Sequence, residues 1–315
     1  MNIAILDSAT LGEDITFECL NGLGTLTVYQ RTTQEQTIER LNGIDCVILN
    51  KGTLTADILS KASDLKLICL SATGFDNVDI SYCKQHGIAV CNVEGYSTEC
   101  VSQLTVSMAL SLINHLTEYD KFVKSGKYSE SGTPNNLTPV FNEICGKTWG
   151  IVGLGNIGKR VASIAQALGC KVIAFKRTAE ENYNCVDLDT LMSQSDIISV
   201  HIPSSKETVG IISRERIAMM KKRAILINVA RGNVIDEAAV ADAICHGSLY
   251  GYGCDVYSTE PFSSDHPYNR ILKYDNVILT PHMAWGGYET RLRLINDVAE
   301  NIRFFLEGKS RNRVV

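Results

Sequence analysis

Thr148-Trp149-Gly150-Ile151-Val152-Gly153-Leu154-Gly155-Asn156-Ile157-Gly158 decides how this chain is read. An apolar, strand-like run enters a G-x-G-x-x-G turn. A helical pattern follows over Lys159–Leu168, and a second apolar run, Lys171–Phe175, closes a strand–turn–helix–strand unit of roughly the 30 residues such a motif needs. A bare glycine pattern is weak; its setting here is what gives it content. Gly153 permits the tight turn, Gly155 lets backbone approach a pyrophosphate, and Gly158 lets helix and strand pack closely. The helix start, with the N–H groups of Asn156 and Ile157, adds donors and partial positive charge for phosphates. The turn therefore implies a dinucleotide.

The next strand end refines this. An acid there accepts hydrogen bonds from free ribose hydroxyls, but the chain has Phe175-Lys176-Arg177-Thr178. Lys176, Arg177 and Thr178 suit a 2′-phosphate, so NADP is favoured over NAD. A solvated basic strand end is the other reading.

Outward from this unit, short apolar runs alternate with helical patterns. Strands are expected at Asn2–Leu6, Cys46–Leu49, Leu67–Leu70 and Ile88–Cys91, then at Thr148–Val152, Lys171–Phe175, Asp196–Val200, Ala224–Asn228, Gly251–Cys254 and Asn276–Leu279. Near-continuous apolar strands between helices mean parallel sheets covered on both faces, an α/β fold in two units. Long helices are expected at Thr98–Leu116 and Tyr288–Leu306, and Ser125–Asn142, with its glycines and prolines, reads as an irregular surface arm.

The bulk numbers agree with an ordinary globular protein. The chain has 315 residues, 45% hydrophobic and 21% charged, with a formal net charge of −5. No block of like charge marks a nucleic-acid or membrane-surface partner, and neither a signal peptide nor a spanning run is legible. The 11 cysteines lack any C-x-x-C pair, so no metal site is expected, and scattered thiols inside apolar runs point to a reducing compartment, the cytoplasm.

Three chemistry-bearing residues follow predicted strands: Arg231 in Asn228-Val229-Ala230-Arg231-Gly232, Glu260 in Ser258-Thr259-Glu260-Pro261, and His282 in Thr280-Pro281-His282. The carboxyl edge is where open α/β sheets place ligands. Reducing a ketone needs hydride at carbon and a proton at the developing alkoxide. A histidine suits the second task near neutral pH, an adjacent acid keeps the ring loaded, and an arginine fork grips a carboxylate.

In their order and wording, Lys147–Arg160, Asn228–Glu237, Gly253–Pro261 and Thr280–His282 resemble the D-isomer-specific 2-hydroxyacid dehydrogenase family, as do Ala72–Asp79 and Asn92–Thr98 upstream. The resemblance spans nearly the whole chain. It implies two Rossmann-like domains: a discontinuous, flavodoxin-like substrate domain (1–98 and 286–315) and a doubly wound NAD(P)-binding domain (99–285), with a cleft that closes by a hinge. It implies catalytic roles for His282, Glu260 and Arg231. It places Thr98, His201, Pro203, Val229, Ala230 and Asp255 beside the cofactor, and the backbone at Thr73 and Gly74 on the substrate carboxylate. Lys51 is read as a substrate contact or a solvated loop, and Trp285 as a pocket wall or a packed aromatic. A homodimer is implied, with the Thr98–Leu116 helix as the offered interface. The segments around Asn92–Gln103 and Pro281–Glu289 look most like glycerate dehydrogenases and hydroxypyruvate reductases. The expected substrate is therefore hydroxypyruvate or glyoxylate, with a bulkier branched or aromatic 2-keto acid as runner-up. No regulatory extension is read after Val315, unlike the long phosphoglycerate dehydrogenases. A non-catalytic NAD(P)-sensing module is the rival from another class.

Overall fold

The computed structural model describes residues 1–178 and 180–315. Along the chain run β1 (Asn2–Ile5), β2 (Thr25–Val28), α1 (Gln34–Arg40), β3 (Cys46–Leu49), α2 (Ala56–Leu59), β4 (Leu67–Leu70), α3 (Ile80–His86) and β5 (Ala89–Cys91). Next come α4 (Thr98–Ile113), α5 (Leu116–Lys124), α6 (Lys127–Glu130), β6 (Thr148–Val152), α7 (Asn156–Ala167) and β7 (Lys171–Phe175). The remainder is α8 (Leu188–Gln194), β8 (Ile197–Val200), α9 (Arg214–Met219), β9 (Ile225–Asn228), α10 (Glu237–Cys245), β10 (Gly251–Cys254), β11 (Val277–Leu279) and α11 (Tyr288–Leu306). The chain divides into unit 1, Met1–Ser97 with Gly286–Val315, and unit 2, Thr98–Trp285.

Unit 1 holds a parallel sheet in the order β2-β1-β3-β4-β5. One face packs Ala4, Leu6, Val47, Leu49, Ile68 and Leu70 against Ile58, Leu59 and Cys83 of α2 and α3. The alternate residues, Ile3, Ile5, Ile48 and Cys69, are buried too, and α11 lies on β4. Burial on both faces is why these strands read as apolar runs. β2 has no such run, because Thr25–Val28 is a largely exposed edge strand, and the sequence does not announce it. Helix starts follow local chemistry: Thr33 and Gln36 form a capping box on α1, and Asp79 caps α3.

Unit 2 holds a parallel sheet in the order β11-β10-β9-β8-β6-β7. Val152, Ile198, Val200, Leu226 and Tyr252 face α8, α9 and α10, while Trp149, Ile151, Ile197, Ile225 and Ile227 face α4 and α7. The expected Thr98–Leu116 helix is two. α4 stops at Ile113, and His115 takes a left-handed conformation (φ 51°) before α5 begins. The apolar side chains of α4, Val101, Met108, Ala109, Leu112 and Ile113, lie in the core. The exposed apolar residues fall later, at Leu116, Val123, Tyr128, Leu137, Val140 and Phe141. The arm expected to be irregular contains the short α6. Among the described residues no helix is long and apolar enough to cross a membrane, and the cysteines are all free thiols.

Candidate active site

Strand register gathers the candidate residues of unit 2. Phe175, Val152, Val200, Asn228, Cys254 and Leu279 form one continuous row of paired residues across β7, β6, β8, β9, β10 and β11. Lys176, Gly153, His201, Val229–Arg231, Asp255 and Thr280–His282 come immediately after it. All of them therefore leave the sheet at its carboxyl edge.

At the switch point between β6 and β8, Gly153 has φ 102°, and a Cβ there would stand 2.7 Å from Ile202 Cγ2 and 2.9 Å from the His201 carbonyl oxygen. A Cβ on Gly158 would strike the Gly153 carbonyl. Gly155 differs: a Cβ there meets nothing within 4 Å. Gly155 is also the N-cap of α7, with no side chain accepting its first N–H groups, whereas α3, α8 and α10 are capped by Asp79, Asp187 and Asp236. Asn156, Ile157 and Gly158 are the first residues of α7, whose N–H groups precede any intrahelical acceptor. An open glycine before a helix end without a side-chain cap is a cradle that fits a dinucleotide's pyrophosphate.

Beside it, the His201 ring shares Ser199 Oγ with Trp149: Ser199 lies 2.9 Å from His201 Nε2 and accepts the Trp149 indole N–H at 2.9 Å. Desolvation pushes His201 down to about 3, so the ring is neutral, and its Nδ1 is buried without a partner among the described residues. An orphaned polar atom next to Gly153 also suits a polar ligand. At the end of β7, Lys176 and Lys159 both pair with Glu180, at 2.6 and 2.5 Å. Those two lysines hold the Glu180 carboxyl below the usual carboxylate range, Lys159 most strongly. Arg177 and Thr178 are exposed. The sequence does not single out Glu180, because it follows the strand end by several residues. Pro203 is exposed, its carbonyl accepting Thr208 Oγ1–H at 2.7 Å, while Val229 and Ala230 are buried. Thr98 opens α4, its carbonyl accepting the Ser102 hydroxyl at 2.7 Å.

The residues after β9, β10 and β11 are held by buried amide and carboxylate groups. Asn228 bridges its own turn, accepting Ala230 N–H at 3.1 Å and donating to the Arg231 carbonyl at 2.9 Å. The Arg231 guanidinium donates to the Ala230 carbonyl at 2.7 Å. Asp255, fully buried, accepts Thr280 Oγ1–H at 2.6 Å and the N–H groups of Met283 and Ala284, each at 2.9 Å. Desolvation raises its carboxyl, against those three bonds. Between these anchors His282 adopts φ 52°, a left-handed conformation costing a non-glycine residue about 1–2 kcal/mol. That places its Nδ1 2.6 Å from Glu260 Oε2. The other Glu260 oxygen accepts Tyr257 N–H at 3.1 Å. An ionised carboxylate only accepts, so the ring proton facing it sits on Nδ1, and Nε2 lies on the side of the ring away from that bond.

Arg231 and the Glu260 loop meet through backbone. A Cβ on Gly232 would occupy the space of the Tyr257–Ser258 peptide. Trp285 packs against the apolar cluster of α4 and β6. Of the candidates in unit 1, Lys51 donates its backbone N–H to Asp7 at 2.7 Å. The Thr73 hydroxyl donates to the Val93 carbonyl at 2.8 Å, and Gly74 is half-buried.

Residues 106–284 match the family described as D-isomer specific 2-hydroxyacid dehydrogenase, NAD binding domain. The chain is 37% identical to a hydroxypyruvate reductase of Blautia hydrogenotrophica, covering 100% of this chain and 99% of that one. It is 37% identical to a glycerate dehydrogenase of Methylorubrum extorquens over 91% of this chain and 90% of the relative. The chain belongs to the D-isomer specific 2-hydroxyacid dehydrogenases. Among solved structures of similar fold, the D-lactate dehydrogenase of Aquifex aeolicus, complexed with NAD and lactic acid, aligns with a TM-score of 0.86 at 31% identity, covering 98% of this chain and 96% of that one. An acyclic imino acid reductase in complex with NADPH and D-Arg aligns with a TM-score of 0.87 at 30% identity over 100% of both chains. As a 2-hydroxyacid dehydrogenase the chain is an oxidoreductase that uses a nicotinamide cofactor, and the cradle at Gly155 and the orphaned His201 nitrogen are compatible with one.

Proposed function

We propose that this dehydrogenase reduces hydroxypyruvate or glyoxylate to the D-2-hydroxy acid, with His282 as the general acid and NADPH as the preferred reductant. The observation that carries the reading is the 2.6 Å pair between His282 Nδ1 and Glu260. The Gly153–Gly158 turn would hold the pyrophosphate of the dinucleotide, whose nicotinamide would supply the hydride. Arg231 grips the substrate carboxylate with its guanidinium fork and polarises the neighbouring carbonyl. His282 gives its Nε2 proton to the alkoxide as it develops, and Glu260 stabilises the imidazolium and fixes the ring. In the oxidative direction the same nitrogen takes the proton back. Asp255 keeps the turn bearing His282 in shape, and its remaining lone-pair capacity suits a carboxamide donor.

In unit 1 the backbone N–H groups of Thr73 and Gly74 are proposed as carboxylate donors, since the Thr73 hydroxyl is already engaged. Lys51 is proposed as a further cation there. The names of the relatives support the substrate choice: besides the two above, a glyoxylate reductase of Thermofilum pendens is 36% identical over 84% of this chain and 78% of the relative. NADPH preference rests on the β7 end, where Lys159 and Lys176 pair with Glu180 and Arg177 is exposed. A homodimer through α5 and the arm after it is proposed from the exposed Leu116, Val123, Leu137 and Val140. The scattered free thiols are consistent with a cytoplasmic home.

The test is oxidation of NADPH, then of NADH, with hydroxypyruvate, glyoxylate, and branched and aromatic 2-keto acids. Wild type is expected to favour the two small acids and NADPH, and His282→Ala to lose about a thousandfold in kcat. Full activity in His282→Ala would remove the acid–base assignment. Absence of turnover with every acid would favour a nucleotide-sensing module, and NADH preference would overturn the reading of Lys176, Arg177 and Thr178.

A further inference from the structure

Glu237, the first residue of α10, is a buried carboxylate (9% exposed) that lies outside the acid–base pair and the turn of β6. It collects three hydrogen bonds. Oε1 accepts Ser258 N–H at 2.9 Å, and Oε2 accepts the Ser258 hydroxyl at 2.5 Å. Oε2 also lies 3.0 Å from His266 Nε2. The His266 tautomer is determined by its other nitrogen, because Nδ1 accepts Tyr268 N–H at 3.2 Å. The proton therefore sits on Nε2 and is donated to Glu237. Placed at a helix start, the carboxylate also gains from the partial positive charge there.

What these bonds hold is the short loop carrying Glu260. Ser258 is fixed to Glu237. Tyr257, the residue before it, donates its hydroxyl to the Thr280 carbonyl at 2.9 Å and its backbone N–H to Glu260 Oε1 at 3.1 Å. One side of the loop is thus tied to the strand end that leads to His282, and the other to α10. The Tyr257 ring sits edge-on to Phe262, His266 and Tyr268, at centroid distances of 4.8, 6.2 and 6.1 Å. Gly232 presses its backbone against the same Tyr257–Ser258 peptide. Remove the Glu237 anchor, and Ser258 loses the bonds that tie the loop to α10.

We propose that Glu237 and Ser258 are positioning residues for proton transfer: their bonds lock the 257–260 loop so that Glu260 meets His282 Nδ1. The proposal rests on the assignment of Glu260 and His282 as the acid–base pair. It adds that this pair depends on a second carboxylate, one bonded to Ser258 and His266.

The decisive measurement is made on the whole, cofactor-free chain by NMR with labelled histidine. It follows the His282 Nδ1–H proton, which is protected from exchange while bonded to Glu260. Glu260→Ala, which removes the acceptor, is the control: if it leaves that proton unchanged, the acid–base reading itself fails. If Glu260→Ala exposes the proton, then Ser258→Ala and Glu237→Ala are expected to speed its exchange about tenfold. Both are also expected to lower kcat for keto-acid reduction about tenfold, with KM for the cofactor unchanged. Ser258→Thr, which keeps the hydroxyl, is expected to behave as wild type. Ser258 is exposed, so Ser258→Ala keeps the test open even where Glu237→Ala fails to fold. A protected His282 proton in Ser258→Ala, with or without a fall in kcat, would overturn the inference while leaving the acid–base reading standing.

Discussion

Both sheets end in a straight row of paired residues, Val28–Ile5–Ile48–Cys69–Cys91 in unit 1 and Phe175–Val152–Val200–Asn228–Cys254–Leu279 in unit 2, yet the loops that leave the two rows carry different chemistry. Beyond the row of unit 1 come groups that satisfy backbone. Asp7 accepts the N–H groups of Asn50, Lys51 and Gly52, Asn50 donates to the Ser71 carbonyl, Asn77 to Gly52 and Asn92 to Thr73. Beyond the row of unit 2 come a glycine cradle, an imidazole whose Nδ1 has no partner among the described residues, and a histidine braced by an acid. The same architecture therefore serves two purposes. One edge is finished by amides and the Asp7 carboxylate, which shape loops, and the other carries the glycine cradle and the histidine–acid pair.

The largest effect expected from breaking this contrast concerns two glycines of one turn. Gly158→Ala forces a Cβ into the Gly153 carbonyl. Backbone cannot yield there cheaply, and a loss of at least about 3 kcal/mol in folding stability is expected. Gly155→Ala places its methyl where no protein atom lies within 4 Å. Its thermal midpoint should stay near that of wild type while affinity for the nicotinamide nucleotide falls at least about tenfold. Thermal melts with a nucleotide titration decide it. Unchanged nucleotide affinity in Gly155→Ala would show that the cradle is not where phosphate lies.

A smaller effect separates two aspartates with similar surroundings. Asp7 in unit 1 and Asp255 in unit 2 each accept hydrogen bonds from three donors. Asp7→Asn leaves backbone N–H groups short of an acceptor and should cost about 2 kcal/mol. At Asp255, where desolvation already works against the charge, Asn removes that penalty along with one acceptor, so a smaller cost is expected. Urea unfolding of both variants tests the order. A greater loss from Asp255→Asn would mean that its three bonds outweigh its burial.

Much of this is legible in the sequence because the physics is local. The strands β3, β4, β6, β8 and β9, buried on two faces, announce themselves as apolar runs, and the G-x-G-x-x-G turn needs only short-range geometry. The features that stay hidden depend on partners far along the chain. β2 is an exposed edge that only pairing defines. The break at His115 arises where its ring bonds Tyr250, 135 residues on. The family resemblance points to Asp255 as a cofactor contact, whereas its oxygens also shape the turn that bears His282. Glu237 and Ser258 sit inside segments whose wording draws the eye to Arg231 and Glu260, and nothing in their spacing says that one is folded onto the other.

The smallest expected effect turns on the desolvated histidine of unit 2. Unit 1 has His86 as its sole histidine, and that ring is exposed. His201 is instead pushed by desolvation down to about 3, well below the ordinary value near 6.5. Between those two values the unfolded chain binds a proton that the native ring refuses, so stability falls as pH falls through the window. The slope from this one group is at most about 1.4 kcal/mol per pH unit, and above pH 6.5 the group contributes none. Replacing it with a neutral residue, as in His201→Asn, should flatten the acid side of the stability curve and leave the neutral side parallel to wild type. Asp255 works with the opposite sign, since burial raises its carboxyl and protonation favours the native state. Urea midpoints of wild type and His201→Asn measured side by side between pH 5 and 8 cancel that contribution and leave the histidine. Curves that stay parallel below pH 6.5 would show that the His201 ring takes up its proton in the folded protein, and the unit 2 edge would then lose one of the features that set it apart.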